Sequence, residues 1–164
     1  METHSRAQFG FSRRAVLRLF TALPLLAAGA AACSSGDQSP DPLLSLAKSA
    51  KADAKLARAV GKAYPGLAGT AEEIANAREQ HAEALQREIE RVNPPDPDAG
   101  PSVPEPPDQQ APRSASAAAD ALREALRASQ GTAAKLVAEL PPYRAGLTGS
   151  ISASCACLLE VLGE

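Results

Sequence analysis

Eight of the chain's 14 prolines fall within residues 94–112. Proline fixes φ and carries no backbone N–H, so a helix cannot run through such a stretch, nor can an inner strand. The stretch also lacks apolar periodicity, which leaves an extended, polyproline-like connection. At about 3.1 Å per residue, 19 such residues reach roughly 55–60 Å. A 22-residue helix is only about 33 Å long. The connection is therefore long enough to run the full length of a helical bundle, and it divides the chain into two helical pairs.

Before it, residues 43–64 and 71–92 read as helices. In the first, Lys48, Lys51, Lys55, Arg58 and Lys62 recur at alternating spacings of three and four. That places them on one face, expected to be a solvated basic stripe. The opposite face carries Leu46, Ala50, Ala57, Val60 and Tyr64, with Asp53 in its midst. Pro65-Gly66 ends the helix. Thr70-Ala71-Glu72-Glu73 fits a capping box opening the second helix. Its apolar face is Ile74, Ala77, Leu85, Ile89 and Val92, with His81 and Glu88 on the same side.

After it, residues 114–140 carry a stripe of Ala118, Leu122, Ala125, Leu126, Ser129, Ala133, Leu136, Val137 and Leu140. Pro141-Pro142 makes a corner. Residues 143–162 form a last helix with no charge between Arg144 and Glu160. A helix uncharged all round is expected to be packed on several sides. Leu147, Ile151, Leu158 and Leu162 line one of its faces; Gly146, Gly149, Ala153 and Ala156 line another.

The fold class these patterns predict is all-α, a four-helix bundle over residues 43–163. Connections in the order short, long, short make helices 2 and 3 run parallel, the ferritin-like topology with its long crossover. Ala77-Arg78-Glu79-Gln80-His81-Ala82 and the run from Tyr143 through Arg144 and Gly146 to Ile151 carry a further likeness. Through them the chain resembles the ferritin-like, function-unassigned domains of exported actinobacterial proteins.

Residues 1–32 read as a targeting segment, not as fold. Ser12-Arg13-Arg14-Ala15-Val16-Leu17-Arg18 resembles the twin-arginine export signal, Ser-Arg-Arg-x-Phe-Leu-Lys, with Val16 in place of Phe and Arg18 in place of Lys. The apolar run of residues 19–32 is too short for an ordinary span of about 20 residues. Ala30-Ala31-Ala32-Cys33 resembles a lipobox, although Ala30 stands where that pattern prefers Leu. The resemblance implies cleavage before Cys33, lipidation of its thiol, and a tether over residues 33–42. The expected location is the extracytoplasmic face of the cell membrane, with the membrane as partner through Cys33 and a protein of the envelope as a second partner.

Removing residues 1–32 takes away four arginines and one glutamate, leaving 13 basic and 18 acidic side chains, a net of −5. A mildly acidic chain gives no case for nucleic acid. All three phenylalanines and the only methionine lie in the removed segment, and there is no tryptophan. The core must therefore be built from Ala, Leu, Val and Ile, with Tyr64 and Tyr143 as the only aromatics.

A di-iron ferritin-like centre needs a Glu from each of two helices and a Glu-x-x-His from each of the others. Beyond residue 32 the chain has one histidine, His81, and Arg78 stands three residues before it. No cofactor is implied, and the chain reads as a non-enzyme. Asp53, His81 and Glu88 remain as polar groups on core-facing stripes. They read as a structural pair of Asp53 with His81, as groups exposed at a loose edge, or as a weak metal or small-ligand site. Cys155 and Cys157 stand about 200° apart on a helix and cannot bridge locally. They read as small buried residues or as partners in an interchain disulfide. The leading expectation is a lipid-anchored, non-catalytic bundle that binds a partner or supports the envelope. The alternative is a metal or small-ligand carrier using Asp53, His81 and Glu88.

Overall fold

Apolar residues at helical spacing become four α-helices in the computed structural model, which describes residues 40–98 and 100–163. They are α1 (Leu44–Ala63), α2 (Ala68–Val92), α3 (Ala115–Glu139) and α4 (Pro142–Val161). No strand occurs among the described residues. The signal residues Ser12, Arg13, Arg14 and Leu17, and Cys33, lie outside the described residues.

The turn after α1 differs from the expected one. Pro65–Leu67 forms a single 3-10 turn that feeds straight into α2 at Ala68. The Leu67 and Ala68 amides already find the carbonyls of Tyr64 and Pro65. No side chain caps this helix, and Thr70 sits inside it instead of ahead of it. Gly61 lets the two helices close here: a Cβ on it would stand 3.4 Å from the Ala71 Cβ. At α3, by contrast, Ser114 caps the helix through its hydroxyl, which accepts from the Ala117 amide at 3.2 Å.

α1 packs along α2 and α3 along α4; smaller contacts join α1 to α3 and α2 to α4. Side-chain contacts fix the directions. The Tyr64 hydroxyl, just past α1, donates to the Pro112 carbonyl, just ahead of α3. Asp41, just ahead of α1, is paired with Arg144 in the first turn of α4. Arg144 in turn lies beside Glu88 near the end of α2. α1 and α4 therefore begin at one end, the Asp41 end, and α2 and α3 begin at the other.

The core is aliphatic, as the composition requires: Leu43, Leu46, Val60, Ile74, Leu85, Leu122, Leu126 and Ile151 are all buried. Two stripe residues fall outside it, since Val92 and Val137 are exposed at the helix ends. α4 also departs from the expectation that it is packed on several sides. Gly146, Ser150, Ala153 and Cys157 face outward, while Arg144, the last charge before the neutral run, is buried.

The Pro-rich crossover is part of the packed structure. Val103 in its middle is fully buried in the core. The more buried positions, Val103, Pro106, Gln109 and Pro112, recur every third residue, while Pro101, Pro104 and Pro107 face outward. Three residues per turn is the polyproline II period. Such a chain makes no internal hydrogen bonds, so its carbonyls need partners. Two lysines of α1 supply them. Lys51 Nζ donates to the Val103 carbonyl at 2.9 Å and to Glu105 Oε1 at 2.7 Å. Lys55 Nζ donates to the Pro106 carbonyl at 2.7 Å and lies 3.4 Å from Asp108 Oδ1. The basic face of α1 is thus only partly solvated: Lys51 and Lys55 seat the crossover, and Lys48 and Lys62 stay exposed.

Candidate functional site

The most polar place inside the bundle is built around Arg78. On α2 it continues the buried series Ala71, Ile74, Ala75, Arg78, Ala82, Leu85 and Ile89. Helical periodicity alone carries it to the centre, where it is 0 % exposed. A guanidinium is always charged and only donates, so burial obliges it to find acceptors.

All four helices contribute to that set. Arg78 Nε and Nη2 stand 3.1 and 2.9 Å from Asp53 Oδ2 of α1. Nη2 also donates to Ser129 Oγ of α3 at 2.8 Å. Nη1 lies 3.1 Å from His81 Nδ1, one turn along α2, and 3.4 Å from Cys155 Sγ of α4. The Ser129 hydroxyl in turn donates a hydrogen bond to Asp53 Oδ2 at 2.9 Å. Because arginine cannot accept, the geometry makes His81 Nδ1 the acceptor and leaves the ring proton on Nε2.

The electrostatics follow from this packing. Burial raises the Asp53 carboxyl above its ordinary value, with Arg78 and Ser129 pulling the other way. Burial and the neighbouring guanidinium depress His81 to about 4, so the ring is neutral at ordinary pH. Burial raises the Cys155 thiol, which makes it a poor nucleophile.

The three sequence-predicted candidates are not brought together. Asp53 pairs with Arg78, and the direct Asp53–His81 pair, one of the readings of these core-facing groups, is replaced by a guanidinium standing among Asp53, Ser129, Cys155 and His81. Glu88 lies elsewhere, at the Asp41 end. Its carboxylate takes two hydrogen bonds from Arg91, at 2.8 and 2.9 Å, which with Arg144 hold it below its ordinary value. Among the described residues no group of three or more His, Cys, Asp or Glu side chains is placed to hold a metal ion. A cation beside Asp53 and His81 would also meet the charge of Arg78. Of the two cysteines, Cys155 is buried as expected and Cys157 is exposed; both are free thiols.

A second polar cluster closes the Asp41 end. Arg144 Nη2 donates to both Asp41 carboxylate oxygens, at 2.7 and 2.8 Å. Asp41 Oδ1 also accepts from the Leu43 amide at 2.8 Å, opening α1. Arg144 Nε stands 3.2 Å from Glu88 Oε1, close enough for charge attraction but not aligned as a hydrogen bond. Arg91 lies over the Tyr143 ring, 4.9 Å from its centroid.

In the sequence Arg78 and Arg144 stand out only as part of the family likeness, with no place in the core. The signal was present in the spacing: Arg78 stands four residues after Ile74 and four before Ala82.

Comparison with protein-family models, with curated proteins and with solved structures found no match.

Proposed function

We propose that the chain is a lipid-anchored, non-catalytic helical bundle on the extracytoplasmic face of the cell membrane, where it binds an envelope partner or supports the envelope. The observation that supports a non-catalytic interior is the closure of the Arg78 cluster. Asp53, Ser129 and His81 spend their inward hydrogen-bonding capacity on Arg78 and on one another. No nucleophile there is paired with a free base, and Cys155 is driven toward its neutral thiol. The ferritin-like reading is supported by the shared starting end of α2 and α3 and by the crossover that returns along α1. The anchor is supported by the lipobox-like residues before Cys33; among the described residues no helix is long and apolar enough to cross a membrane.

Cell fractionation tests the anchor. Cys33→Ala should move the protein from the membrane to the soluble fraction, because the acyl chains supply the binding. Retention of the variant in the membrane after a high-salt wash overturns lipidation as the anchor.

A further inference from the structure

The bundle presents four large exposed apolar side chains, Val92, Val137, Tyr143 and Val161. Three of them gather toward one end. Val92 closes α2 and Tyr143 opens α4, and Arg91 on the Tyr143 ring ties these two helix ends together. Val137 lies a little further in, touching the position of Gly149, about 9 Å along α4 from Tyr143. Pro94, Pro95, Pro141 and Pro142 are exposed on the same end. Val161 alone is at the other.

This is also the end from which the anchor would be reached. Asp41 is clamped there by Arg144 and by the Leu43 amide, with its side chain only 6 % exposed. Cys33 is eight residues before Asp41. Eight residues span at most about 28 Å even fully extended. α2, with 25 residues, is about 37 Å long. A lipidated Cys33 therefore cannot let the bundle stand on its far end. Lying on a side is less favourable. α1 and α2 offer exposed charges such as Lys48, Glu72, Glu79 and Glu83 along their length, and the neutral outer face of α4 offers Gly146, Ser150 and Ala153, which carry little apolar area; the Asp41 end also exposes Asp96, Asp98 and Glu139, but beside the large apolar side chains.

We infer that the Asp41 end of the bundle is a lipid-facing surface, with Tyr143 set in the headgroup region and Val92 and the exposed prolines around it. Tyrosine suits that depth, with an apolar ring and a polar tip. Arg91, held on the same ring, keeps its guanidinium on Glu88 and fixes the ring's position. The acyl chains hold the protein to the membrane, and this surface sets how it stands. The far end, with the Pro65–Leu67 turn, then points away from the membrane. The inference rests on lipidation at Cys33.

The chain has no tryptophan, so a single one reports its own site. Tyr143→Trp and Val161→Trp replace exposed residues at opposite ends. Each full-length lipidated variant is reconstituted into phosphatidylcholine–phosphatidylglycerol vesicles, with or without bromine on the acyl chains, and recovered by flotation. Tryptophan at position 143 should shift its emission to the blue and lose about half of it or more to bromine, as a side chain about 5–10 Å into the interface does. Tryptophan at position 161 should do neither. If the proteins float and position 143 is quenched no more than position 161, the end-on surface is wrong although the anchor stands. If the proteins do not float, the anchor itself has failed and this inference falls with it.

Discussion

Replacing Arg78 with methionine keeps most of the side chain's volume and removes its charge. Arg78 is fully buried, and its partners come from every helix. In the variant Asp53 keeps one hydrogen bond, from Ser129, and loses the cation that offsets its desolvation. Breaking a buried pair from one side costs about 3–5 kcal/mol. A domain of this size has about 5–15 kcal/mol in total. With a urea dependence of about 1–3 kcal/mol per molar, the unfolding midpoint should fall by roughly 2 M. Adding Asp53→Leu removes the orphaned charge. The double variant should return to within about 1–2 kcal/mol of the parent, or exceed it, because well-packed apolar residues often replace a buried ion pair without loss. The cycle should therefore show coupling of several kcal/mol. The exposed pair of Arg123 with Asp120, at 2.9 Å, should show no more than about 1 kcal/mol. An Arg78→Met variant that costs less than about 1 kcal/mol, or a double variant that simply adds the two losses, would refute the view that the bundle closes around this guanidinium.

Three further outcomes follow from other parts of the molecule. His81 is held near 4 in the fold against 6.5 when free, so between those values the unfolded chain binds more protons and stability falls as the pH drops from 6.5 toward 4. Allowing for partial solvent screening, the loss is about 1–2 kcal/mol, partly offset by Asp53, whose carboxyl is raised. His81→Gln, which keeps an acceptor for Arg78, should flatten the fall in Tm across that window; an unchanged profile would clear His81 of the effect. Val103→Ala removes two methyl groups from a fully buried site and should cost about 1.5–2.5 kcal/mol. It should also speed cleavage of the Asp108–Gln109 bond by a protease that cuts after acidic residues, since Val103, Lys51 and Lys55 hold that segment down; cleavage at the parental rate would mean the crossover is not pinned there.

Much of the fold was legible because small aliphatic side chains obey helical spacing closely. The stripes through Leu46 and Val60, Leu122 and Leu126, and Ile151 and Leu158 are the buried faces. The proline run marked the crossover and its length allowed the return along the bundle. What was misread has separate physical causes. Lys51 and Lys55 looked like solvent-facing charges, yet their ammonium groups are what a hydrogen-bond-free polyproline segment needs for its carbonyls. Arg78 and Arg144 stood in the family likeness without a structural role, yet each is buried against an acid contributed by another part of the chain, Asp53 or Asp41. Asp53 was recognised as core-facing and given the wrong partner, because spacing fixes a height and a face but not which of two neighbouring turns reaches it. Thr70 had the capping-box pattern, but the 3-10 turn at Pro65–Leu67 started the helix before it.

The most direct measurement on the proposed function is the mass of the N-terminal peptide from protein extracted from membranes. A lipid-anchored bundle predicts a chain beginning at Cys33 and heavier by a thioether-linked diacylglycerol, with the added mass absent from Cys33→Ala. A chain beginning at any other residue, or at Cys33 with an unmodified thiol, would contradict it.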